Sequence, residues 1–347
     1  MSIKQFRVGV VGYGNLGKAL IRLLEMKRRS FQDEGFDLVP TCIVDKDGGV
    51  ADPAGLDCAA LEDHAVHSPT LEGFPGFDAD LDFRKIVEGK MIDVMIEFTF
   101  TNKETGEPGL THIREALRHG IHVATGNKGP VLLAWEELDS LAREKGLLLG
   151  VGCTTGGALP TIINGRVSMA GSEVTQIEGV LNGTSNFILD RMEKQGMSYA
   201  EGMEEARKSG IAESDSTMDV EGWDTAVKLM ILVKVVMQGK LNLGDVSVSG
   251  ITGVTVEDVR EARNSGCRIK LIGRAWRENG EVRAEVAPRA VDSEHPFYFV
   301  SGKNKGVRYV SDTLGDLFVS GGASGPIPAA AAALRDVVNA WRSGLLR

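Results

Sequence analysis

The 347-residue sequence contains no run of eighteen apolar residues, which removes a membrane-spanning helix from consideration. Its amino terminus lacks the basic-then-apolar pattern of a secretion signal. The four cysteines, Cys42, Cys58, Cys153 and Cys267, are dispersed without CxxC or metal-ligand spacing, and that usage suits a reducing compartment. The six histidines form no HxxxH or HExxH motif, so the common zinc arrangements are missing. Positive charge is also in short supply: 39 Lys and Arg stand against 48 Asp and Glu, a formal charge of -9. That balance argues against nucleic acid and anionic membrane as partners. There is no internal repeat, and the one biased tract, Ala329 to Ala333, is a helix former. The expectation is a soluble, cytoplasmic chain, long enough for two domains.

What is present begins with a glycine motif in a strand-turn-helix setting. Phe6 to Val11 reads as a short buried strand, and Gly12-Tyr13-Gly14-Asn15-Leu16-Gly17 follows at once, leading into a helical pattern through Leu24. In a dinucleotide-binding turn the first glycine permits the tight bend, the second lets a pyrophosphate approach the backbone, and the third lets helix and strand pack closely. A second strand, Leu38 to Val44, ends in Asp45, where an acidic residue would bind the adenosine ribose hydroxyls. Lys46 follows and would attract a 2′-phosphate, so NAD and NADP both stay open, with Asp45 tipping the balance toward NAD.

The segment from Val50 to Asp82, rich in Asp, Gly and Pro, reads as a surface insertion. The strand and helix alternation resumes with Val94 to Glu97, a helix from His112 to His119, and a strand Ile121 to Ala124 that runs into Thr125-Gly126-Asn127-Lys128-Gly129-Pro130. Ligands of open parallel sheets bind beyond the carboxyl ends of strands, and Lys128 falls at such an end. A strand at Leu147 to Val151 leads to Cys153-Thr154-Thr155-Gly156-Gly157-Ala158-Leu159-Pro160, a helix-start pattern. Ile177 to Leu181 is a further strand. It ends in Asn182-Gly183-Thr184-Ser185-Asn186, a turn whose amides and hydroxyl suit a carboxylate.

From Gly210 to Lys228 five carboxylates, Glu213, Asp215, Asp219, Glu221 and Asp224, precede one lysine, and the apolar stretch Leu229 to Met237 follows. Asp224 and Lys228 are spaced i, i+4 and share a helix face. Asp219 is placed to cap the first turn or to reach past it. A lone Asp/Lys pair is usually a surface ion pair. Here the lysine sits at the mouth of a helix that must be largely buried, which makes it a candidate for handling protons or binding substrate.

Several of these motifs agree in order and spacing, and together they resemble homoserine dehydrogenase, the pyridine-nucleotide family that interconverts aspartate semialdehyde and homoserine. The resemblance runs from Gly9 to about Asp336. It rests on Asn127-Lys128-Gly129-Pro130, on Gly156 to Pro160, on Asn182 to Leu189, on Ala212-Glu213-Ser214-Asp215, and on Asp219 to Asp224 with Lys228. It implies an α/β fold: a Rossmann-type doubly wound parallel sheet with a second α+β substrate and dimerisation domain. Residues 1–155, completed by 321–347, would bind the nucleotide, and 156–320 would hold substrate and dimerise. It implies that Lys128 and Lys228 flank the reacting carbon, that Asp224 orients Lys228, that Glu213 and Asp219 bind the substrate's polar ends, and that Gly183 and Thr184 lie along its backbone. Thr99, Lys128 and Gly322 would join the glycine motif, Asp45 and Lys46 in binding the cofactor. A monovalent cation, often sodium in the family, would lie on backbone carbonyls of Gly152, Thr155, Gly157 and Leu159, and the assembly would be a homodimer. The chain departs from the family pattern at Ser216, Gly126 and Gly152, where proline, serine and a glutamate are usual. Two other readings remain: a related oxidoreductase for another amino-acid semialdehyde or hydroxy amino acid, and a nucleotide-binding sensor without turnover.

Overall fold

In the computed structural model, which describes residues 3–347, the chain divides into two compact units. One takes the chain through Ala158 together with Gly325–Arg347, and the other is Leu159–Ser324.

The first unit is built on a seven-stranded sheet. Its elements are β1 (Lys4–Val11), α1 (Asn15–Asp33), β2 (Phe36–Asp45), β3 (Gly48–Ala51), α2 (Cys58–His67), β4 (Phe77–Asp78), α3 (Phe83–Glu88), β5 (Val94–Glu97), α4 (Gly109–Arg118), β6 (His122–Thr125), α5 (Lys128–Glu144), β7 (Leu149–Gly150) and α6 (Cys153–Gly156). The strand order is β4-β3-β2-β1-β5-β6-β7. The run from β2 through β7 is parallel, and β3 and β4 add antiparallel strands at one edge. Val8, Val10, Val94 and Ile96 are fully buried, as befits central parallel strands covered on both faces. The carboxyl-terminal helix α13 (Pro326–Arg342) belongs to this unit. Its Ala330, Ala333 and Val337 are fully buried, and Trp341 meets Phe36 at 5.1 Å and Phe6 at 5.8 Å between ring centroids.

The segment from Val50 to Asp82 is not a surface insertion. Val50, Cys58, Leu61, Leu71 and Phe74 belong to the main apolar core, and β3 turns back along β2 to extend the sheet. Its apolar residues are too sparse among Asp, Gly and Pro to show a period. Each fully buried Leu or Phe nevertheless stabilises the fold by roughly 1.5–3 kcal/mol.

The second unit opens with α7 (Thr161–Ile163), followed by β8 (Val174–Val180), α8 (Gly183–Gln195), α9 (Tyr199–Lys208), α10 (Thr217–Val220), α11 (Trp223–Leu232), β9 (Ser247–Val248), α12 (Val256–Asn264), β10 (Arg268–Glu278), β11 (Glu281–Val291), β12 (Lys305–Ser311) and β13 (Asp316–Gly321). These strands form a six-stranded sheet in the order β13-β12-β8-β10-β11-β9. The pairs are antiparallel except β11 with β9. Leu229, Met230, Ile231, Leu232 and Val233 are fully buried, so the apolar stretch after Lys228 is a core helix. It runs across the sheet where Gly273 leaves room: a Cβ there would come within 3.1 Å of Thr225 and 3.4 Å of Leu229.

Of the two roles open to Asp219, the cap is excluded: it does not cap the helix of Lys228. It lies in α10, and Gly222, with φ 87°, breaks the chain between α10 and α11, a backbone conformation that favours glycine. Thr161 to Ile163 is helical, Val282 to Val286 lies within β11, and Ser247–Val248 forms β9. The edges of this sheet are β13 and β9.

Candidate active site

The glycine turn of the first unit carries the geometry a pyrophosphate needs. Gly12 has φ 99°, and a Cβ on it would lie 2.7 Å from the Phe98 carbonyl; a Cβ on Gly17 would lie 2.2 Å from the oxygen of Gly12, while one on Gly14 would meet nothing within 4 Å. The first and third glycines are therefore required by packing, and the second leaves open space at the amino end of α1. Asn15 and Leu16 are the first residues of that helix. The Tyr13 ring turns inward: it is buried, its hydroxyl donates to the Leu61 carbonyl at 3.2 Å, and burial pushes its pKa up to about 12. Its backbone N–H points to Asp45 Oδ2 at 3.3 Å, and the Lys46 N–H donates to Asp45 Oδ1 at 2.9 Å. Asp45 thus stands exposed at the end of β2, its carboxylate anchored by two amides. The Lys46 side chain is 81% exposed, with its amine 3.8 Å from Asp47.

At the ends of β5 and β6 a buried carboxylate, absent from the sequence-based candidates, organises the loops. Glu97 is fully buried and accepts from the Thr99 N–H at 2.9 Å, from the Thr99 hydroxyl, and from the Thr125 hydroxyl at 2.7 Å. Burial raises its pKa, and the hydrogen bonds from Thr99 and Thr125 pull against that rise. Thr125 Oγ1 accepts from the Asn127 N–H at 2.9 Å, and Asn127 Nδ2 donates to Thr99 Oγ1 at 3.2 Å and the Phe100 carbonyl at 3.1 Å. Asn127 also caps α5, accepting from the Gly129 N–H at 3.1 Å. Lys128, the first residue of that helix, is half-buried, and its N–H donates to Thr101 Oγ1 at 3.4 Å. The chain Glu97–Thr99–Thr125–Asn127 thus fixes the backbone from which Lys128 projects. A carboxylate ending the apolar strand Val94 to Glu97 was its one sequence signal.

Gly126 stands where serine is usual, and a Cβ there would lie 3.0 Å from the Phe98 ring and 3.2 Å from Cys153 Sγ. At Gly152 the N–H donates to Asp336 Oδ2 at 2.7 Å, and a Cβ would be 2.7 Å from Asp336 Oδ1. A carboxylate from α13 therefore occupies the space that a side chain at position 152 would enter. Thr155 is fully buried, Gly157 turns with φ 59°, and Leu159, whose carbonyl accepts from the Thr161 N–H at 2.8 Å, begins the second unit. Among the described residues, no group of three or more His, Cys, Asp or Glu is disposed to hold a metal ion.

In the second unit four predicted residues meet around one that sequence reasoning had left as a turn residue. Lys228 Nζ lies 2.5 Å from Asp224 Oδ2 and donates to the Leu181 carbonyl at 2.9 Å. Asp224 and Lys228 are 12% and 17% exposed in their side chains, so the pair is shielded while still reachable. Asn182 Nδ2 donates to Asp219 Oδ1 at 2.6 Å and to Asp224 Oδ2 at 2.9 Å. Burial and the neighbouring Asp224 charge raise the Asp219 pKa; Asn182, Lys228 and Thr184 oppose that rise. Gly183 opens α8, and a Cβ on it would lie 2.9 Å from the Lys303 carbonyl. Thr184 is buried, and its hydroxyl donates to the Ile211 carbonyl at 3.3 Å. Glu213 is exposed on the loop before α10, and its carbonyl accepts from the Ser216 hydroxyl at 2.9 Å. Ser216 thus ties the loop by a hydrogen bond where proline is usual. Gly322 has φ 80°, and a Cβ there would strike the Leu159 nitrogen at 2.7 Å.

Comparison with known proteins gives a consistent answer. Residues 160–338 match the homoserine dehydrogenase family. The chain is 35% identical over 342 residues to the NAD(+)-dependent homoserine dehydrogenase of Pseudomonas canavaninivorans, covering 98% of this chain and 97% of that protein. It is 33% identical over 334 residues to the homoserine dehydrogenase of Methanocaldococcus jannaschii, covering 96% and 98%. The crystal structure of a homoserine dehydrogenase from Thiobacillus denitrificans superimposes with a TM-score of 0.81 at 27% identity, over 99% of this chain and 75% of that one.

Proposed function

This chain belongs to the homoserine dehydrogenase family, and from that premise we propose that it interconverts L-aspartate 4-semialdehyde and L-homoserine using a nicotinamide nucleotide. The observation that carries the reading is the shielded Lys228, held by Asp224 and the Leu181 carbonyl beside Asp219. The open space at Gly14 and the helix behind it fit a dinucleotide pyrophosphate. Gly12 to Gly17, Asp45, Lys46, Thr99, Lys128 and Gly322 are the residues proposed to hold the cofactor. A nicotinamide held by these residues would supply the hydride for the semialdehyde carbon, or accept it from the alcohol carbon.

The chain's own part is to manage charge and protons around that carbon. An ammonium has three donors. Lys228 commits two of them, to Asp224 and to Leu181, and offers the third to the substrate oxygen. As the carbonyl is reduced, the developing alkoxide takes this proton, and Asp224 stabilises Lys228 as a cation until the transfer. In the reverse direction Lys228 receives the proton from the homoserine hydroxyl. Lys128 contributes binding and a positive field. Asp219 and Glu213 pair with the substrate ammonium, and Gly183 and Thr184 line its backbone. Such pairing discriminates amino-acid substrates in a way an apolar pocket cannot.

Asp45, anchored by two amides at the end of β2, favours ribose hydroxyls over a 2′-phosphate, and we assign NAD as the preferred cofactor. The backbone of Gly152, Thr155, Gly157 and Leu159 offers oxygens of the kind a monovalent cation accepts, with Asp336 supplying a charge beside Gly152. The proposed assembly is a homodimer through the second unit, which exposes Phe299 at 70% and Val167 at 66% and ends its sheet in the edges β13 and β9. Light scattering at micromolar concentration gives a twofold mass on this reading; a fully active monomer contradicts it. No helix among the described residues is long and apolar enough to cross a membrane. The function itself is tested by initial rates with homoserine and other hydroxy amino acids, each with NAD and NADP. Homoserine with NAD is expected to be the fastest pair, and a faster rate on another hydroxy amino acid would transfer the assignment to that substrate.

A further inference from the structure

Asn182 precedes α8 and is 5% exposed. Its Oδ1 accepts from the Ser185 N–H at 2.9 Å, the usual bond of a helix N-cap. That bond fixes the orientation of the amide: a flip would set its oxygen against two carboxylates and its nitrogen against an N–H. Both hydrogens of Nδ2 are thereby committed, one to Asp219 Oδ1 at 2.6 Å and one to Asp224 Oδ2 at 2.9 Å. Asp224 Oδ2 is the same oxygen that meets Lys228 Nζ. One neutral amide thus bridges two carboxylates from different helices and touches the partner of the proposed proton donor.

Building on the function proposed for this site, we propose that Asn182 is a positioning residue: its amide holds Asp219 and Asp224 together as ionised carboxylates beside Lys228, and so sets the pH range in which the site works. The charged groups around it are Asp219 on α10, Asp224 and Lys228 on α11, and the exposed Glu213 on the preceding loop. On the sheet, Lys305 of β12 precedes Gly306, which pairs with Val180, Lys270 of β10 donates to Asn186 Oδ1 on α8, and Glu178 of β8 and Arg274 of β10 pair with each other across the strands. Glu178 and Arg274 alternate with the Gly179–Gly273 pair, whose Gly273 faces α11, and so lie on the opposite face. Two carboxylates so close repel, and with Lys228 they leave the cluster one negative charge in excess, suited to a substrate ammonium. Burial and Asp224 already raise the Asp219 pKa, and Asn182 works against that rise. Removing the amide raises it further. Asp219 then takes up a proton at higher pH, and the acid limb of the homoserine kcat/KM profile moves upward.

A helix cap alone would also explain an asparagine at this position, and serine and aspartate cap as well as asparagine does. Asn182→Ser therefore keeps the cap and removes the bridge, while Asn182→Asp keeps cap and shape and replaces both donors by a third carboxylate. In Asn182→Ser, kcat/KM for homoserine is expected to fall about tenfold or more with little change in nucleotide KM. In Asn182→Asp the acid limb is expected to rise by about one pH unit or more. Carbon-13 NMR of the aspartate carboxyls, with Asp219 assigned through Asp219→Asn, follows the same group without turnover, and its midpoint is expected to be higher in Asn182→Ser than in the parent. If the parent protein fails to oxidise homoserine, the functional reading falls and the NMR titration alone decides this proposal. An unchanged Asp219 midpoint, with loss confined to melting temperature, would reduce Asn182 to a cap and overturn it.

Discussion

Replacing Lys228 by alanine removes an ammonium that is 17% exposed, 2.5 Å from Asp224 and 2.9 Å from the Leu181 carbonyl. Three consequences can be sized separately. Loss of a positioned proton donor costs turnover about a hundredfold or more, roughly 2.7 kcal/mol of barrier. The second is electrostatic: Asp219 and Asp224, both tied to Asn182, lose their counter-ion, so one of them takes up a proton at higher pH and ammonium binding weakens. The third is stability. The pair is neither fully buried nor on the open surface, so its loss falls between the ~3–5 kcal/mol of a broken buried pair and the ~1 kcal/mol ceiling of an exposed one. About 2 kcal/mol is the expectation, small enough for the variant to fold. Steady-state kinetics in both directions measure the first two effects, and denaturant unfolding measures the third. Affinity for the nucleotide, read by fluorescence titration, should stay near that of the parent because Lys228 is not among the residues proposed to hold the nucleotide. A folded Lys228→Ala protein that keeps turnover within about threefold of the parent would remove this lysine from the chemistry.

Asp45→Ser should shift the preference toward NADP by about tenfold or more, since it removes roughly one to two kcal/mol of repulsion against a 2′-phosphate; unchanged selectivity by kcat/KM would mean that another loop reads the ribose. Glu213→Gln should raise the KM for homoserine with little effect on that for nucleotide, because it discards a charge partner of the ammonium. A change confined to thermal stability would make Glu213 structural. Gly17→Ala places a Cβ 2.2 Å from the Gly12 oxygen, so the turn must shift, and nucleotide affinity is expected to drop about tenfold or more with a loss of stability. Calorimetric titration that finds parent-like affinity would show that the turn adapts.

The parts of the fold that could be read in the sequence are those decided locally. Phe6 to Val11 and the glycines after it specify strand, turn and helix through backbone sterics within a dozen residues, and the structure places β1 and α1 there. The i, i+4 relation of Asp224 and Lys228 is likewise a property of one helix, and it appears as a 2.5 Å pair. What escaped was decided at a distance. Asn182 reaches Asp219 and Asp224 across 37 and 42 positions of sequence. Glu97 reaches Thr125 across 28. Nothing in the order of residues reports such contacts, since they depend on how strands and helices pack. Gly222 looked like any glycine in an acidic stretch, yet its φ of 87° is what separates α10 from α11. The sparse apolar residues between Val50 and Asp82 hid a part of the core because they follow neither a helical nor a strand period.

On the proposed function, this chain moves a hydride between homoserine and a nicotinamide nucleotide, with Lys228 carrying the proton. Homoserine deuterated at its alcohol carbon tests it most directly: incubate it with the purified protein and NAD, and follow the label by mass spectrometry. Deuterium is expected in the reduced nucleotide, with semialdehyde product in equal amount, both sharply diminished in Lys228→Ala. Saturable nucleotide binding with no label transferred would contradict it and leave a nucleotide-binding sensor in place of an enzyme.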